Sequence, residues 1–478
     1  MTFRDHWRIQ SRRDFFQRCA GGIETIALAH LLQQEGRSAG QSGPLAPKKP
    51  HFPAKAKNVI FLFMAGAPSQ LDLYDYKPKM RDLHGQPVPP SVMKELKDDL
   101  IRGSARVMAS PREFRQAGPS GMWFSDYIPH IAGIAGDLSM VHSFHTDVAN
   151  HHPAQMMMNC GTPLVGRPSM GSWVTYGLGS ETQDLPGYIV LLSSSGKGIE
   201  GGASNWSNGF LPSNYRGVTF RSSGDPVLHL SNPPGLSTAS QRLRLEALRD
   251  LNDQRKTETG DYEISSRIHS YELAFRMQAQ APELLDLRKE DPATLNMYGI
   301  ANEKSRAFGT NCLLARRMVE RGVRFVQLYH STWDDHSDLN SHLRTNTEIV
   351  DQPSAALVRD LKRRGLLDST LVVWGGEFGR TPMNEVRRGN TAGKEGRDHH
   401  RFAFTMWMTG GGIQPGRNIG ETDELGFNIA SDPYHVHDLQ ATILHCLGMD
   451  HTRLTYRHQG RDFRLTDVDG QVIRPLLS

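Results

Sequence analysis

LVVWGGEFGRTPMNEVRRGNTAGKEGRDHHRFAFTMWMTGGGI, residues 371–413, is the stretch whose reading decides the fold. It opens on a continuous apolar run, Leu371-Val372-Val373-Trp374, the pattern of a strand covered on both faces. Two glycines then deliver Glu377 where that strand ends, and a loop rich in Gly, Asn, Arg and Lys closes on Asp398-His399-His400. A second apolar run, residues 402–408, ends in Gly410-Gly411-Gly412. Two buried strands that present Glu, Asp and His where they meet a loop have the form of a binding site at the carboxyl ends of a parallel sheet. A solvated surface loop has the same hydrophilic bias, so the remainder of the chain has to decide between the two.

The same pattern recurs upstream. Residues 58–64, NVIFLFM, read as another buried strand, followed by a Gly/Pro/Ser turn that carries Ser69 and Asp72. Ser69 is either a site residue or the cap of the next helix. Residues 323–329 form a third strand, ending at His330-Ser331-Thr332-Trp333-Asp334-Asp335-His336. Asp334 and His336 are two apart, so in extended backbone their side chains point the same way, and a carboxylate and an imidazole converging there suit a divalent cation. Residues 139–141 lead into His142, His145, Asp147, Asn150, His151 and His152, a dense run of ligands and proton carriers. Apolar residues recurring three and four apart predict helices over 123–140, 241–250, 262–287 and 306–321, with further helices over 351–364 and 436–444. Residues 180–240, rich in Gly, Ser, Asn and Pro, read as a loop-rich insertion over one edge of the sheet. The tail, 454–473, reads as a hairpin turning at Asp469-Gly470.

Composition bounds what this chain can do. It has 478 residues, 38% hydrophobic and 22% charged, with a net charge of +4, and no basic stripe with interleaved aromatics calls for a nucleic-acid partner. No run of eighteen apolar residues predicts a transmembrane helix. Cys19, Cys160, Cys312 and Cys446 are far apart and make no CxxC pair, which argues against a zinc ribbon or a disulfide framework. Twenty-one histidines, clustered late, hint at metal chemistry. Ser11-Arg12-Arg13-Asp14-Phe15-Phe16 precedes a moderately apolar segment, residues 19–32, like a twin-arginine export signal. Glu24 and His30 interrupt that segment, and an amphipathic N-terminal helix is the other reading. The expected organisation is thus a signal over 1–40, a linker over 41–57, and a single domain over 58–478. The expected location is periplasmic or extracellular.

GGEFGRTP, GRDHH, WD-x-H, HDL-x-ATILH-x-LGMDH and LTYR-x-x-GRDFRLTD-x-x-G closely resemble the bacterial domain-of-unknown-function family 1501, from about Asn58 to the C-terminus. That family in turn resembles the alkaline phosphatase and sulfatase superfamily. The resemblance implies an α/β/α sandwich with a mostly parallel sheet and a two-metal site at the strand ends. It implies metal ligands at Asp334, His336 and His399, with Asp398 and His400 as alternatives to the last, and Glu377 and Asp72 contributing to a second cation. The metal would be zinc or calcium. His151 or Asn150 would stand near the nucleophile position, and Arg380 or Arg397 would stabilise anionic charge. The implied substrate is a sulfate or phosphate ester of a small molecule or polysaccharide. Two departures set limits: no carboxylate stands at Ala65-Gly66, where the superfamily has an aspartate, and the Cys-x-Pro-x-Arg sulfatase signature is absent. A non-catalytic module on the same fold is therefore the rival reading.

Overall fold

Strand β1, Asn58–Met64, is buried at every position, and its alternate residues feed two separate cores. Ile60, Leu62 and Met64 pack on one face of the sheet, Val59, Phe61 and Phe63 on the other. This is the period-2 alternation of a strand sandwiched between helical layers. The computed structural model describes residues 44–93, 106–193, 199–221, 227, 230–261, 263–385 and 393–478. The export signal read in residues 1–40 lies outside the described residues, as do residues 41–43, 94–105, 194–198, 222–226, 228–229, 262 and 386–392.

Among the described residues the main sheet has nine strands. After β1 come β2, Ser139–His145; β3, Tyr188–Leu192; β4, Val218–Phe220; β5, Phe325–His330; β6, Thr370–Gly375; β7, Phe404–Thr409; β8, Asn418–Ile419; and β9, Tyr434–His435. Their order is β8-β2-β7-β6-β1-β5-β3-β4, with β9 also paired to β2. Every pairing in it is parallel except the two made by β7. The first core face is covered by helices Arg306–Glu320 and Leu339–Arg363, through residues such as Phe308, Leu313, Val350 and Leu357. The second is covered by His151–Cys160, Met170–Leu178 and Val436–Cys446, through Met158, Trp173, Leu439 and Ile443. The architecture is a three-layer α/β/α sandwich with a mostly parallel sheet.

Four expectations are corrected. The second strand of the opening stretch is antiparallel to its neighbours, so its start, not its end, lies at the edge where β6 finishes. Residues 180–240 are not only loop, because β3 and β4 lie there and extend the sheet. The helix read over 123–140 is instead a strand, Met122–Ser125, a single turn at Pro129–Ala132, a 3₁₀ turn and the start of β2. Its apolar spacing is helical, but Pro129, Gly133 and Gly136 punctuate it. The tail hairpin joins Tyr456–His458 to Arg461–Phe463 and turns at Gln459-Gly460, with Gln459 at φ +46° and Gly460 at φ +85°.

Candidate metal centre

The ends of β1, β5 and β6 and the start of β7 lie on one edge of the sheet, and the chain builds a cluster of imidazoles over them. Gly66, at φ +107°, follows β1, and a Cβ there would stand 2.7 Å from the backbone nitrogen of Asp334. Only glycine lets the two strand ends approach so closely. Beyond β6, Arg380 pairs with His399 and Gly379 with His400 in a two-residue antiparallel bridge. That bridge brings the end of the GRDHH segment back beside Glu377. The nitrogen of Arg397 also donates to the carbonyl of Asp335 at 3.1 Å, tying this segment to the one that carries Asp334 and His336. His151 enters from the opposite side, as the first residue of helix His151–Cys160.

Asp334 Oδ1 is the point of convergence. It lies 3.0 Å from His151 Nε2, 2.9 Å from His336 Nε2 and 3.2 Å from His399 Nε2. His336 Nε2 and His399 Nε2 are themselves 3.0 Å apart. The remaining nitrogen of each ring is held from behind. His151 Nδ1 bonds Glu377 Oε1 at 2.7 Å, His336 Nδ1 bonds Glu385, and His399 Nδ1 bonds the carbonyl oxygen of Ala149 at 2.6 Å. A proton on each Nδ1 leaves a lone pair on each Nε2, so three acceptors face a carboxylate oxygen. The ring of Phe378 lies under two of them, with centroids 5.0 Å from His151 and 4.7 Å from His399.

Such an arrangement needs positive charge at its centre. Asp334, Glu377, Glu385 and Asp398 surround the imidazoles, and Arg380 is the guanidinium that touches Asp334, at 2.7 Å. Without a cation, protons take that role. Burial pulls the His151 pKa down, but its contacts with Asp334 and Glu377 outweigh this and raise it to about 9. His336 is also raised, its burial outweighed by Asp334 and Glu385. Burial works to raise the pKa of Asp334, but His151, His336, His399 and Arg380 hold it well below the usual carboxylate range. Three imidazoles and a carboxylate, each with its outer partner fixed, match a zinc-type donor set. Metal bonds of ~2.0–2.1 Å place tetrahedral ligand atoms ~3.3 Å apart, close to the separations found here. The three imidazole nitrogens fit calcium poorly, since calcium takes oxygen ligands.

Glu377 is fully buried and stands behind this set rather than in it. Its Oε1 accepts from Gly66 N at 3.0 Å and Gln155 Nε2 at 2.9 Å as well as from His151. Arg380 is fully buried too; Nε donates to Ala67 O, Nη1 to Arg397 O, and Nη2 to Gly66 O, Trp333 O and Asp334. It fixes Asp334 from below instead of facing an incoming anion. Asp398 accepts from the nitrogen of His399 at 2.8 Å and lies 3.9 Å from His336 Nδ1, at the rim. Asn150 is the extended residue before the helix and makes no side-chain cap bond.

Other expected residues are elsewhere. Asp72 is not brought to the cluster: it forms a buried ion pair with Arg397, at 2.8 Å to Nε and 3.3 Å to Nη2, and accepts from Ser69 Oγ at 2.5 Å. That pairing also removes Arg397 and Ser69 from the site. His400 is a core histidine, bonded to Phe427 O at 2.7 Å and packed between Phe402 and Phe427. Burial lowers its pKa to about 4. Sequence reasoning missed Glu385, which holds His336. It sits inside the opening stretch, and the one signal there is a carboxylate in the polar loop.

The family model described as "Protein of unknown function (DUF1501)" matches residues 56–477. No curated protein matches the chain. Among solved structures, the lipoteichoic acid synthase LtaP from Listeria monocytogenes is 9% identical, with 88% of this chain and 78% of that chain covered and a TM-score of 0.38. The PsFucS1 sulfatase from Pseudoalteromonas sp. is 12% identical over 89% of this chain and 71% of that one, with a TM-score of 0.33. Alkaline phosphatase from the Antarctic bacterium TAB5 is 11% identical over 83% and 99%, with a TM-score of 0.32.

Proposed function

The chain belongs to the DUF1501 family, and from that premise we propose that it is an exported, metal-dependent hydrolase of sulfate or phosphate esters. The motifs read as that family's, WD-x-H, GGEFGR and GRDHH, supply Asp334, His336, Glu377, Arg380 and His399. One observation carries the reading: His151, His336 and His399 turn Nε2 toward one carboxylate oxygen while Nδ1 is tied to Glu377, Glu385 and the Ala149 carbonyl. When bound, a zinc-type cation supplies Lewis-acid polarisation of the ester and acidifies water. The residues of the chain orient and admit. Arg380 holds Asp334 from the core side, and Glu377 and Glu385 fix two ring orientations. Asp334 is the exposed member of the set, 42% accessible against 12–18% for the three imidazoles, so the substrate approaches over it. His151 Nδ1 is held by Glu377, and its buried Nε2, 3.0 Å from Asp334 Oδ1, makes no hydrogen bond, which places it as a ligand atom alongside the other two rings.

A specific observation also favours the non-catalytic reading. With Asp72 neutralised by Arg397 and Glu377 turned toward Gly66 and His151, neither carboxylate that the resemblance assigns to a second cation lines one, and the other group of possible ligands among the described residues, His336, Glu385 and Asp398, shares His336 with the first. Elemental analysis of the purified full chain separates the readings. Stoichiometric zinc that is lost in His336→Ala, together with turnover of an aryl sulfate or aryl phosphate, is the expected result. Metal-free protein that gains none on incubation with zinc and turns over neither ester would overturn the hydrolase.

A further inference from the structure

Two long helices, Thr238–Thr259 and Glu263–Leu285, flank the β3–β4 end of the sheet. The second anchors the pair. Its Ser266 Oγ donates to Asn214 Oδ1 at 3.0 Å, and its Glu263 accepts from Ser213 Oγ at 2.8 Å, both just ahead of β4. Its Arg276 Nε donates to Gln183 O at 2.7 Å, just ahead of β3. The first helix lies on the second: Arg242 Nη1 meets Glu272 at 2.8 Å, and Leu245 is the residue it buries.

The far side of that first helix is not what water alone would select. At about 100° per residue, Leu243, Ala247 and Leu251 make one ridge on the side opposite Arg242 and Leu245. Leu243 is 67% and Leu251 63% exposed, with Leu248 beside them at 43%. A solvated outer face is normally polar. A ridge of four-residue spacing is instead the surface on which a second helix seats, and the small Ala247 at its middle allows a close crossing. The charges on either side are sorted by sign. Arg244 and Arg255 stand along one flank of the ridge, Asp250 and Asp253 along the other. Arg244, Asp253 and Arg255 have no ion-pair partner among the described residues, and Asp250 has only a 3.8 Å contact with Arg249.

We propose that this ridge is a dimer interface, on which a second copy of the chain lays its own helix Thr238–Thr259, the two helices running in the same direction. The charge pattern selects both the partner and the orientation. A two-fold axis along the helices sets the arginine flank of each copy against the aspartate flank of the other. A two-fold axis across them would set arginine on arginine and aspartate on aspartate. Asp250 and Arg255 are five residues apart, the offset at which flanking charges meet between parallel helices. A partner of one charge sign would be repelled by one flank, whereas a second copy satisfies both. The metal centre stands over β1, β5, β6 and β7, so pairing at the β3–β4 end leaves it open, and the dimer does not depend on the hydrolase reading.

The test is sedimentation equilibrium of the full chain up to its highest soluble concentration. A reversible dimer is expected, its dissociation constant raised tenfold or more in Leu243→Glu and in Leu251→Glu, and raised by added salt. All the substituted positions are exposed, so the variants should fold as wild type does. Asp250→Arg should weaken the dimer, and Asp250→Arg combined with Arg255→Asp should restore it, because the two flanks then trade signs. Orientation is read by mild oxidation of Leu243→Cys, with wild type as the control for the native cysteines. Like-directed helices link two copies of that variant, whereas opposed helices link it only to Leu251→Cys in a mixture. A monomer at every concentration, a dimer indifferent to both glutamates, or cross-linking confined to the mixed pair would each overturn the proposal. So would a monomer whose Leu243→Cys resists maleimide, since another part of the same chain would then cover the ridge.

Discussion

Asp334 and Asp72 both follow strands of the central sheet, and each is matched with cationic groups, yet they do opposite things. Asp72 is buried, and Arg397 closes over it with two nitrogens. Asp334 is 42% exposed and meets three imidazoles, each of which can shed its proton. A guanidinium is permanently charged and planar, so it completes a carboxylate and ends its chemistry. Imidazoles complete it only conditionally, through a proton or a metal. Identical acid chemistry gives a structural lock in one place and a candidate binding centre in the other, and the partner decides which.

Breaking the lock should have the largest effect. Arg397→Met leaves Asp72 charged and buried with only the hydroxyls of Ser69 and Ser110 beside it, and is expected to destabilise the protein by about 3–5 kcal/mol. Urea denaturation of wild type and variant measures this. A loss under ~1 kcal/mol would mean that the pair is no stronger than a surface salt bridge, and the contrast with Asp334 would fail.

The contrast extends to histidine. In the cluster, His151 and His336 are raised by carboxylates, whereas His330 has none in contact and is bonded to Ser193 Oγ at 2.9 Å. Burial lowers its pKa to about 4 from the usual 6.5. The unfolded chain therefore binds more protons than the folded one between those values. Stability is full above pH 6.5 and falls as pH drops toward 4, by up to roughly 3 kcal/mol from this group. Melting temperature measured from pH 7 to pH 4 should decline less steeply in His330→Gln than in wild type. Equal slopes would sink the assignment.

How far the sequence revealed this depends on what each residue needs. Asp334 and His336 were legible because a two-residue spacing in extended backbone is enough to put them together. Buried strands β1, β5 and β6 were legible as apolar runs, and the helices Thr238–Thr259, Glu263–Leu285 and Arg306–Glu320 through their periodicity. Asp72 misled because nothing local announces a partner 325 positions away. His399 and His400 are adjacent and chemically identical, and only the two-residue bridge to Gly379–Arg380 decides which one faces Asp334. Glu385 was invisible for the same reason: its role exists only once the loop has folded back on His336. Spacing carries short-range geometry, and pairings between distant loops come from the fold.

The smallest effect is the most discriminating. Asp334→Asn removes the carboxylate but keeps an oxygen for Arg380 and adds an amide N–H that can donate to an imidazole lone pair. The depressed pKa of Asp334 would suggest a large stability cost, but at 42% exposure solvent screens the interaction. In chelator-stripped protein the variant should therefore unfold within ~1 kcal/mol of wild type. Zinc restores the difference: at a hundred times its dissociation constant it should stabilise wild type by about 2.7 kcal/mol and leave Asp334→Asn where it was. Paired melting curves with and without zinc read both quantities at once. If Asp334→Asn without metal were as damaging as Arg397→Met, Asp334 would be a second structural lock, and the imidazoles around it would be scaffolding rather than a candidate cation site.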